Sequence, residues 1–397
     1  MSSGLDNRAG RLFICDPVCA FTYGHNVAAM RNFNRYLSGY FSETTLVGCR
    51  FLDSDIAAEN AISREFSYYY QDIMPLRGMP IEDAMPLSHK DKLAVATRDL
   101  VELIDRHHVS RLDTLCYPSI DFYSLYALAE CAPHLIAAGA PTLMVRLIAV
   151  MENAGSFVFR EQEAVVIALI QRLRDAGLVV KLAAETPRYA EYLAENLDCF
   201  VPVAANIDVR AMVPLSNPEV FRVICPGSAR YDKGFLELLE IFTTIRRRDP
   251  ELKIQFQTQI MPDHDMQNQL SYLAKLYALP GVDLLPAQLP PQQLEAMFDE
   301  SDLVFMPYAA DVYEMRGSAV FIEAICVGRP VIAFDGPAFA DQIRYFRGGK
   351  ICQTKQDMVD EVIRYSKTSP YVRSARARQA RERFVRDLEN SYREWMN

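Results

Sequence analysis

The sequence predicts an α/β protein of two doubly wound, Rossmann-like domains. Its 397 residues exceed the size at which one hydrophobic core usually stops growing. Short apolar runs alternate with longer amphipathic stretches from end to end, which is typical of βα units that build a parallel sheet. Polar residues and two prolines interrupt this alternation between Ala204 and Val220. We therefore expect two consecutive sheets joined by a linker.

The first domain is predicted to cover residues 1–205. Its strand candidates begin at Arg11, Thr44, Asp113, Pro141 and Leu178. Amphipathic stretches that start at Asn26 and Asp91 are predicted to be helices between them.

After a linker at 206–219, the second domain is predicted to cover residues 220–370. Its strand candidates begin at Phe221, Lys253, Val282, Leu303 and Arg329. A helix is expected from Phe235. Residues 371–397 are rich in Arg, Glu and Ala and free of Gly and Pro, which predicts a C-terminal helix that could pack back toward the first domain.

Composition excludes several function classes. The net charge of −9 and the pI near 5.3 leave no general basic field for nucleic acid. No run approaches the length of a membrane span and the polar start is unlike a secretory signal, so we expect a cytoplasmic protein, with peripheral membrane contact and oligomeric state left open. Nine scattered cysteines and six histidines show no ligand spacing, so no metal is expected.

A glycine-containing loop follows the strand at Phe221. Gly227 begins it, and Arg230 and Lys233 place cations before a helix that is expected to open near Lys233. Free backbone N–H groups and a cation at such a point can bind a phosphate. The spacing is not that of a P-loop, and an ordinary surface turn is an equal alternative for this segment alone.

A second loop and a short helix lie about eighty residues further on. Ser318 is the predicted N-cap of this helix, and Gly328 ends it. Glu323 stands within an apolar run, where a carboxylate needs hydrogen-bond donors. A ribose diol would supply two donors, and the alternative is that Glu323 faces solvent.

These two segments resemble glycosyltransferase family 4. The element G-x-x-x-x-x-K-G is present at Gly227–Gly234, and EAICVGRPVI at Glu323–Ile332 matches E-A-x-x-x-G-x-P-V-[IV], in the same order and at the same separation. The resemblance implies the GT-B fold, with two domains facing a central cleft, and retaining, metal-independent transfer without a cofactor. It also implies that Lys233 with a nearby Arg binds the donor diphosphate and that Glu323 binds the ribose.

The sequence departs from this family at two positions. Ser228 replaces the Arg after the first Gly, and Arg230 is the nearest substitute. Met315 replaces the first Glu of E-x7-E, beside Glu314. The segment instead fits a subgroup pattern, Y-x-x-R-x-S-x-V-F-x-E-A, which implies substrate contacts from the following set: Arg316, Ser318, Val320 and, through its position, Glu314. Backbone groups around Ala287 and Gln288 resemble the family's base-binding segment.

Residues of the first domain are candidates for the acceptor side. In the resembled enzymes the loop with Gly24 and His25 lies by the phosphates and acceptor, although such a His can also be a solvated cap. Asp121 either orients an acceptor hydroxyl or caps the following helix. Arg146 interrupts an apolar run and should meet either an anion or a carboxylate.

The expected function is transfer of a hexosyl group from a nucleotide sugar to an acceptor hydroxyl, in bacterial polysaccharide or glycoconjugate synthesis. The acceptor could be a glycan, a lipid-linked sugar or a protein. Alternatives are a nucleotide-sugar epimerase of the same fold and a non-catalytic nucleotide-sugar-binding protein. Neither the base nor the sugar can be read from the sequence.

Overall fold

A computed structural model describes residues 10–20, 26–69, 87–149, 159–215, 219–227, 229–261 and 269–397. Contacts divide the chain into two compact units. The first comprises the residues up to Glu185 together with Tyr189–Asn206 and Glu389–Asn397, and the second comprises Thr186–Arg188 and Ile207–Leu388.

The first unit is built on a six-stranded parallel sheet in the order β3-β2-β1-β4-β5-β6. Its strands are β1 (Arg11–Cys15), β2 (Glu43–Cys49), β3 (Ile62–Phe66), β4 (Thr114–Tyr117), β5 (Thr142–Leu147) and β6 (Val180–Ala184). Its helices are Asn26–Leu37, Ser54–Glu59, His89–His107, Phe122–Glu130, Ala132–Ala137, Phe159–Asp175 and Pro187–Leu197, the last beginning in the second unit. Near-continuous apolar strands such as β1 and β4 are buried, as parallel sheets require.

The second unit repeats the same order, β12-β11-β10-β7-β8-β9. Its strands are β7 (Phe221–Cys225), β8 (Ile254–Gln259), β9 (Val282–Leu285), β10 (Leu303–Met306), β11 (Val331–Phe334) and β12 (Gly349–Cys352). Its helices are Leu238–Arg248, Leu270–Tyr277, Pro291–Asp299, Ala319–Cys326, Ala338–Phe346, Lys355–Lys367 and most of Pro370–Met396. The prediction of two doubly wound domains is confirmed.

The point where the strand order reverses fixes the place of the ligand site in the second unit. β7 and β10 are neighbours. From β7 the chain continues toward one edge of the sheet through β8, and from β10 it continues toward the opposite edge through β11. In open α/β sheets ligands bind beyond the carboxyl ends of strands at this switch point. The loops that follow Cys225 and Met306 therefore lie at this switch point.

The last turns of the C-terminal helix belong to the first unit. The hydroxyl of Tyr392 donates to the carbonyl of Ala205 at 2.9 Å, and the indole N–H of Trp395 donates to the carbonyl of Lys181 at 3.1 Å. Tyr392 also stacks on Tyr36 with 4.4 Å between ring centroids. These contacts fix the chain end to the first sheet. None of the helices in the described ranges combines the length and apolarity of a membrane span.

Candidate functional site

Two glycines shape the loop between β7 and the next helix. Gly227 has φ +86° and Gly234 has φ +69°, a region that favours glycine. A Cβ at Gly234 would lie 1.9 Å from the carbonyl oxygen of Pro307, so the loop packs directly on the segment after β10. The loop after β7 therefore contacts the loop after β10.

Lys233 does not begin a long helix, contrary to the prediction. It lies in the 3-10 turn Tyr231–Lys233, and a second such turn, Phe235–Glu237, precedes the α-helix at Leu238. The left-handed conformation of Gly234 separates the two turns. The ammonium group of Lys233, rather than a helix terminus, is the positive charge here.

The ammonium group of Lys233 is partly buried against the glycine loop. A Cβ at Gly227 would lie 2.8 Å from Nζ, so only glycine admits the lysine at this distance. Nζ also lies 5.9 Å from the ring centroid of Tyr308. Burial, and next the Arg230 guanidinium, lower the pKa of Lys233 to about 8. No carboxylate forms an ion pair with Nζ within the described ranges, so the charge is available to an anion.

Arg230 is less available than the sequence suggested. Its guanidinium donates to both carboxylate oxygens of Asp232, at 2.9 and 2.6 Å, and to the hydroxyl of Tyr313 at 3.0 Å. The bond to Asp232 raises the pKa of Arg230. Much of its charge is therefore neutralised inside the loop. Ser228 lies outside the described residues.

Arg316 supplies a second uncompensated cation. Its guanidinium lies 5.3 Å from the ring centroid of Tyr313, and its charge contributes to the lowered pKa of Lys233. No acidic side chain pairs with Arg316 among the residues that the structure describes. Asp232 engages Arg230, whereas Lys233 and Arg316 carry no ion pair within the described ranges.

The predicted N-cap of the second loop is confirmed. The hydroxyl of Ser318 accepts the N–H of Phe321 at 3.4 Å and begins the helix Ala319–Cys326. The first N–H groups of a helix have no acceptor within it. Val320 in that first turn is 3.7 Å from the Cβ position of Gly227. The helix start therefore adjoins the Lys233 loop.

Glu323 is half-buried on the same short helix. Its carboxylate lies 3.8 Å from Arg210, too far for a hydrogen bond, and no described residue donates a hydrogen bond to it. Burial raises the pKa of Glu323, Arg210 opposes this, and Glu295 and Asp299 reinforce it. Its acceptor oxygens can therefore receive hydrogen bonds from a ligand.

Gln259, which the sequence did not single out, joins the loop at Gly227 to the segment at Ala287. At the end of β8, its Oε1 accepts the N–H of Gly227 and its Nε2 donates to the carbonyl of Ala287 at 2.9 Å. The side chain is only 3% exposed. The one sequence signal is an amide at the carboxyl end of β8, a strand that also contains Gln255 and Gln257. Gln288, the next residue after Ala287, is exposed.

The segment around Met315, the residue that replaces the first Glu of the family pattern, is held by hydrogen bonds to its backbone carbonyls. The side chain of Glu314 is exposed, and its carbonyl accepts from Arg188 at 2.9 Å. The carbonyl of Met315 accepts from the hydroxyl of Thr186 at 2.9 Å. These contacts, together with the ion pair between Arg188 and Asp341, position the loop that carries Arg316.

In the first unit, Asp121 is a helix cap. Its carboxylate accepts the N–H groups of Tyr123 and Ser124 at 2.9 and 3.1 Å, and the hydroxyl of Tyr69 also donates to it. Nearby Asp16, at the end of β1, is 3% exposed, and burial raises its pKa to about 6. A role of Asp121 toward an acceptor stays a prediction. Gly24 and His25 lie outside the described residues.

Arg146 pairs with no carboxylate within the described ranges, so the predicted carboxylate partner is wrong, whereas the alternative of an anion stays a prediction. Its guanidinium donates to the carbonyls of Ala204 at 2.5 Å and Pro118 at 3.1 Å, and it lies 5.7 Å from the ring centroid of Phe33. Carbonyls at the ends of parallel strands lack ladder partners, and a buried guanidinium satisfies them. Its contacts are structural.

The described residues also contain no cluster of acidic, His and Cys side chains suited to a metal.

Residues 212–383 match the family model described as "Glycosyl transferases group 1". No curated protein shows significant sequence similarity to the chain.

Several solved structures share the fold. Sucrose-phosphate synthase from Thermosynechococcus elongatus has 12% identity and a TM-score of 0.64, over 97% of both chains. An E. coli trehalose-6-phosphate structure bound with UDP-2-fluoro glucose has 12% identity and a TM-score of 0.65, again over 97% of both.

A third structure is shared over a smaller part of its length. An S. aureus TarM mutant in complex with Fondaparinux, alpha-GlcNAc-glycerol and UDP has 15% identity and a TM-score of 0.53, over 77% of this chain and 58% of its own. Another TarM crystal structure is covered over 57% of its length. The chain therefore has the GT-B fold, and residues 212–383 match the group 1 glycosyl transferases.

Proposed function

We propose that the chain transfers a hexosyl group from a nucleotide sugar to an acceptor hydroxyl, with retention at the anomeric carbon. The observation that carries this proposal is the ammonium of Lys233, which lies against Gly227 at the switch point of the second sheet and has no carboxylate partner among the described residues. The family match over residues 212–383 and the GT-B fold support the same function.

Lys233 stabilises the leaving group in this proposal. As the bond between the sugar C1 and the β-phosphate oxygen breaks, negative charge develops on the diphosphate. A preorganised cation that needs no solvent reorganisation stabilises this charge in the transition state. Arg316 and the N–H groups at the start of Ala319–Cys326 add to the effect. The acceptor oxygen bonds to C1, and its proton passes to the departing phosphate.

Glu323 orients the nucleotide. Its carboxylate has no hydrogen-bond donor among the described residues, and a ribose diol offers two. The base would lie against the backbone of Ala287 and Gln288. The side chain of Gln259 holds the carbonyl of Ala287 in place by a hydrogen bond. Backbone contacts discriminate bases through shape and carbonyl position, so the base is left to experiment.

The acceptor is proposed to be a hydroxyl on a glycan, a lipid-linked sugar or a protein. The TarM mutant structure, which is in complex with alpha-GlcNAc-glycerol and UDP, supports a carbohydrate ligand beside the nucleotide. Asp121, a candidate for the acceptor side, lies close enough to Asp16 in the first unit for their charges to interact. A bacterial polysaccharide or glycoconjugate pathway is consistent with such an acceptor.

Thermal shift and transfer assays test the proposal. One of UDP, GDP, ADP or dTDP should raise the melting temperature of the wild type, and the matching nucleotide sugar should be consumed with an acceptor present. Lys233→Ala should remove both effects. Lys253→Ala, an exposed lysine before β8, should change neither.

The outcomes separate the alternatives. Conversion of the donor without acceptor would indicate an epimerase. Binding without turnover that survives Lys233→Ala would indicate a binding protein. Failure of all four nucleotides to stabilise the chain would overturn the donor site itself.

A further inference from the structure

A cavity of about 650 Å³ lies at the amino ends of β11 and β12. It lies between the end of Ala338–Phe346, the start of β12, and the helices Lys355–Lys367 and Pro370–Met396. Its charged lining consists of six cations and one carboxylate, Glu361. The cations are Arg347, Lys350, Arg364, Arg373, Arg376 and Arg383.

Most of this positive charge is not compensated. Glu361 pairs with Arg364, but no carboxylate pairs with Arg347, Lys350 or Arg376 in the part of the chain that the structure describes. All three are exposed at the cavity. The chain as a whole carries a net charge of −9, so this concentration of cations is opposite in sign to the molecule that bears it.

Arg373 marks the cavity as a binding site rather than a solvated patch. Its side chain is 3% exposed, and its Nε and Nη1 atoms lack a hydrogen-bond acceptor within the described ranges. Arg373 forms a buried ion pair with Asp302, 3.3 Å from Nη1 to the carboxylate oxygen, and the ring of Phe221 lies beneath the guanidinium at 4.9 Å. A desolvated guanidinium with unsatisfied donors gains most from an anionic ligand.

This cavity is separate from the candidate donor site. Gly227 and Pro307 follow the carboxyl ends of β7 and β10, whereas Asp302 and Phe221 stand at the amino ends of the same strands. The two places therefore lie at opposite edges of one sheet. A nucleotide held by Lys233 does not reach the cavity.

We propose that the cavity binds a small compound that carries two or more phosphate groups. Guanidinium groups match phosphate oxygens with two parallel hydrogen bonds, which favours phosphate over a lone carboxylate. Cations on three different elements around a cavity of this size favour a ligand with more than one anionic group. The volume is that of a small-molecule site. The source is either a free metabolite or the headgroup of a lipid with two phosphates.

Calorimetry with inositol hexakisphosphate tests the proposal on the full chain. The double variant Lys350→Gln/Arg376→Gln should weaken binding at least about tenfold, since each lost charge-assisted hydrogen bond contributes strongly. Arg378→Gln, on the same helix but outside the lining, should stay within about twofold of the wild type. Lys233→Met should also stay within about twofold, which separates this cavity from the donor site.

Vesicles distinguish the two sources. Retention on cardiolipin vesicles that is lost in the double variant assigns the phosphates to a lipid headgroup, and soluble binding without retention assigns them to a metabolite. Either result supports the site. Absence of inositol hexakisphosphate binding, an equal loss in Arg378→Gln, or a loss confined to Lys233→Met would overturn it.

Discussion

The side chain of Gln259 accepts the backbone N–H of Gly227 at 2.5 Å, from the last position of β8. Its amide nitrogen donates to the carbonyl of Ala287 on the other side. One buried amide therefore fixes both the loop that holds Lys233 and the segment proposed to meet the base. A residue that contacts no substrate in this arrangement can still set the donor affinity.

Gln259→Leu is expected to raise the donor KM about tenfold and to change kcat much less, because it loosens ground-state positioning of the donor. Loss of buried hydrogen bonds should also lower stability by roughly 1–3 kcal/mol. Steady-state kinetics with varied donor and a denaturant titration measure the two effects.

Gln255→Leu is the matched control. Gln255 stands on the same strand and donates to Asp283, away from the loop. The Gln255→Leu variant should be less stable than the wild type, with the same KM for the donor. A similar KM increase in both variants would show that general loosening of β8, rather than Gln259, is responsible.

Lys233→Met is expected to abolish transfer and to stabilise the fold. Burial disfavours the ammonium, so the pKa of Lys233 falls from 10.5 to about 8. Between pH 8 and 10.5 the unfolded chain binds the proton more than the folded chain, so wild-type stability rises with pH there. Below pH 8 the whole penalty is present. Methionine removes it, and melting at pH 7 should rise by a few degrees.

Melting curves from pH 7 to 10 measure this difference, with Lys253→Met as the control. The gap between Lys233→Met and wild type should narrow as the pH approaches 10. If Lys233→Met melts at a lower temperature than the wild type at pH 7, the buried ammonium of Lys233 stabilises the fold. It is then not a destabilising charge that is kept to bind a ligand.

Much of this arrangement was predictable from sequence, and the misses have physical causes. Most strands were found, whereas β3 and β12 were not. Edge position is not the cause, since β6 and β9 are edge strands too. The sequences ISREF and GKIC mix apolar with polar or small residues, a pattern that short stretches of helix or loop share.

The site was predicted as residue types but not as pairings. Lys233 lies in the loop region after β7 and Glu323 on the short helix Ala319–Cys326, as the sequence predicted. The sequence could not show that Asp232 neutralises Arg230, because two turns and the left-handed Gly234 determine that contact. Carbonyl acceptors such as those of Arg146 leave no sequence trace at all.

Nucleoside diphosphate binding should weaken above pH 8. The free protein loses the Lys233 proton through a pKa of about 8, and a bound diphosphate favours the ammonium. Binding at higher pH must therefore take up a proton, and the dissociation constant should rise up to about tenfold per pH unit. The phosphates stay fully ionised across this range.

Calorimetry at pH 8.5 in two buffers of different ionisation enthalpy measures the proton uptake. The wild type should take up a fraction of a proton, and Lys233→Met should take up none. A dissociation constant that stays flat from pH 7 to 9.5 would remove Lys233 from the diphosphate contact.

A buried acid in the first unit makes stability depend on pH in the opposite direction. Glu163 is 1% exposed and accepts the hydroxyl of Tyr189 at 2.8 Å. Burial raises the pKa of Glu163 to about 7, and the bond from Tyr189 only partly opposes this. Between pH 4.5 and 7 the folded chain keeps a proton that the unfolded chain loses, so stability falls as the pH rises through this window.

Glu163→Gln should remove that slope while it keeps an acceptor for Tyr189. The variant should match the wild type near pH 5 and exceed it at pH 8, by an amount on the order of 2 kcal/mol. Glu195→Gln, at an exposed position on the helix Pro187–Leu197, should run parallel to the wild type throughout. Chemical denaturation from pH 5 to 8 measures all three. If Glu163→Gln also runs parallel, Glu163 is ionised in the folded protein at every pH tested, and its burial is offset by contacts beyond Tyr189.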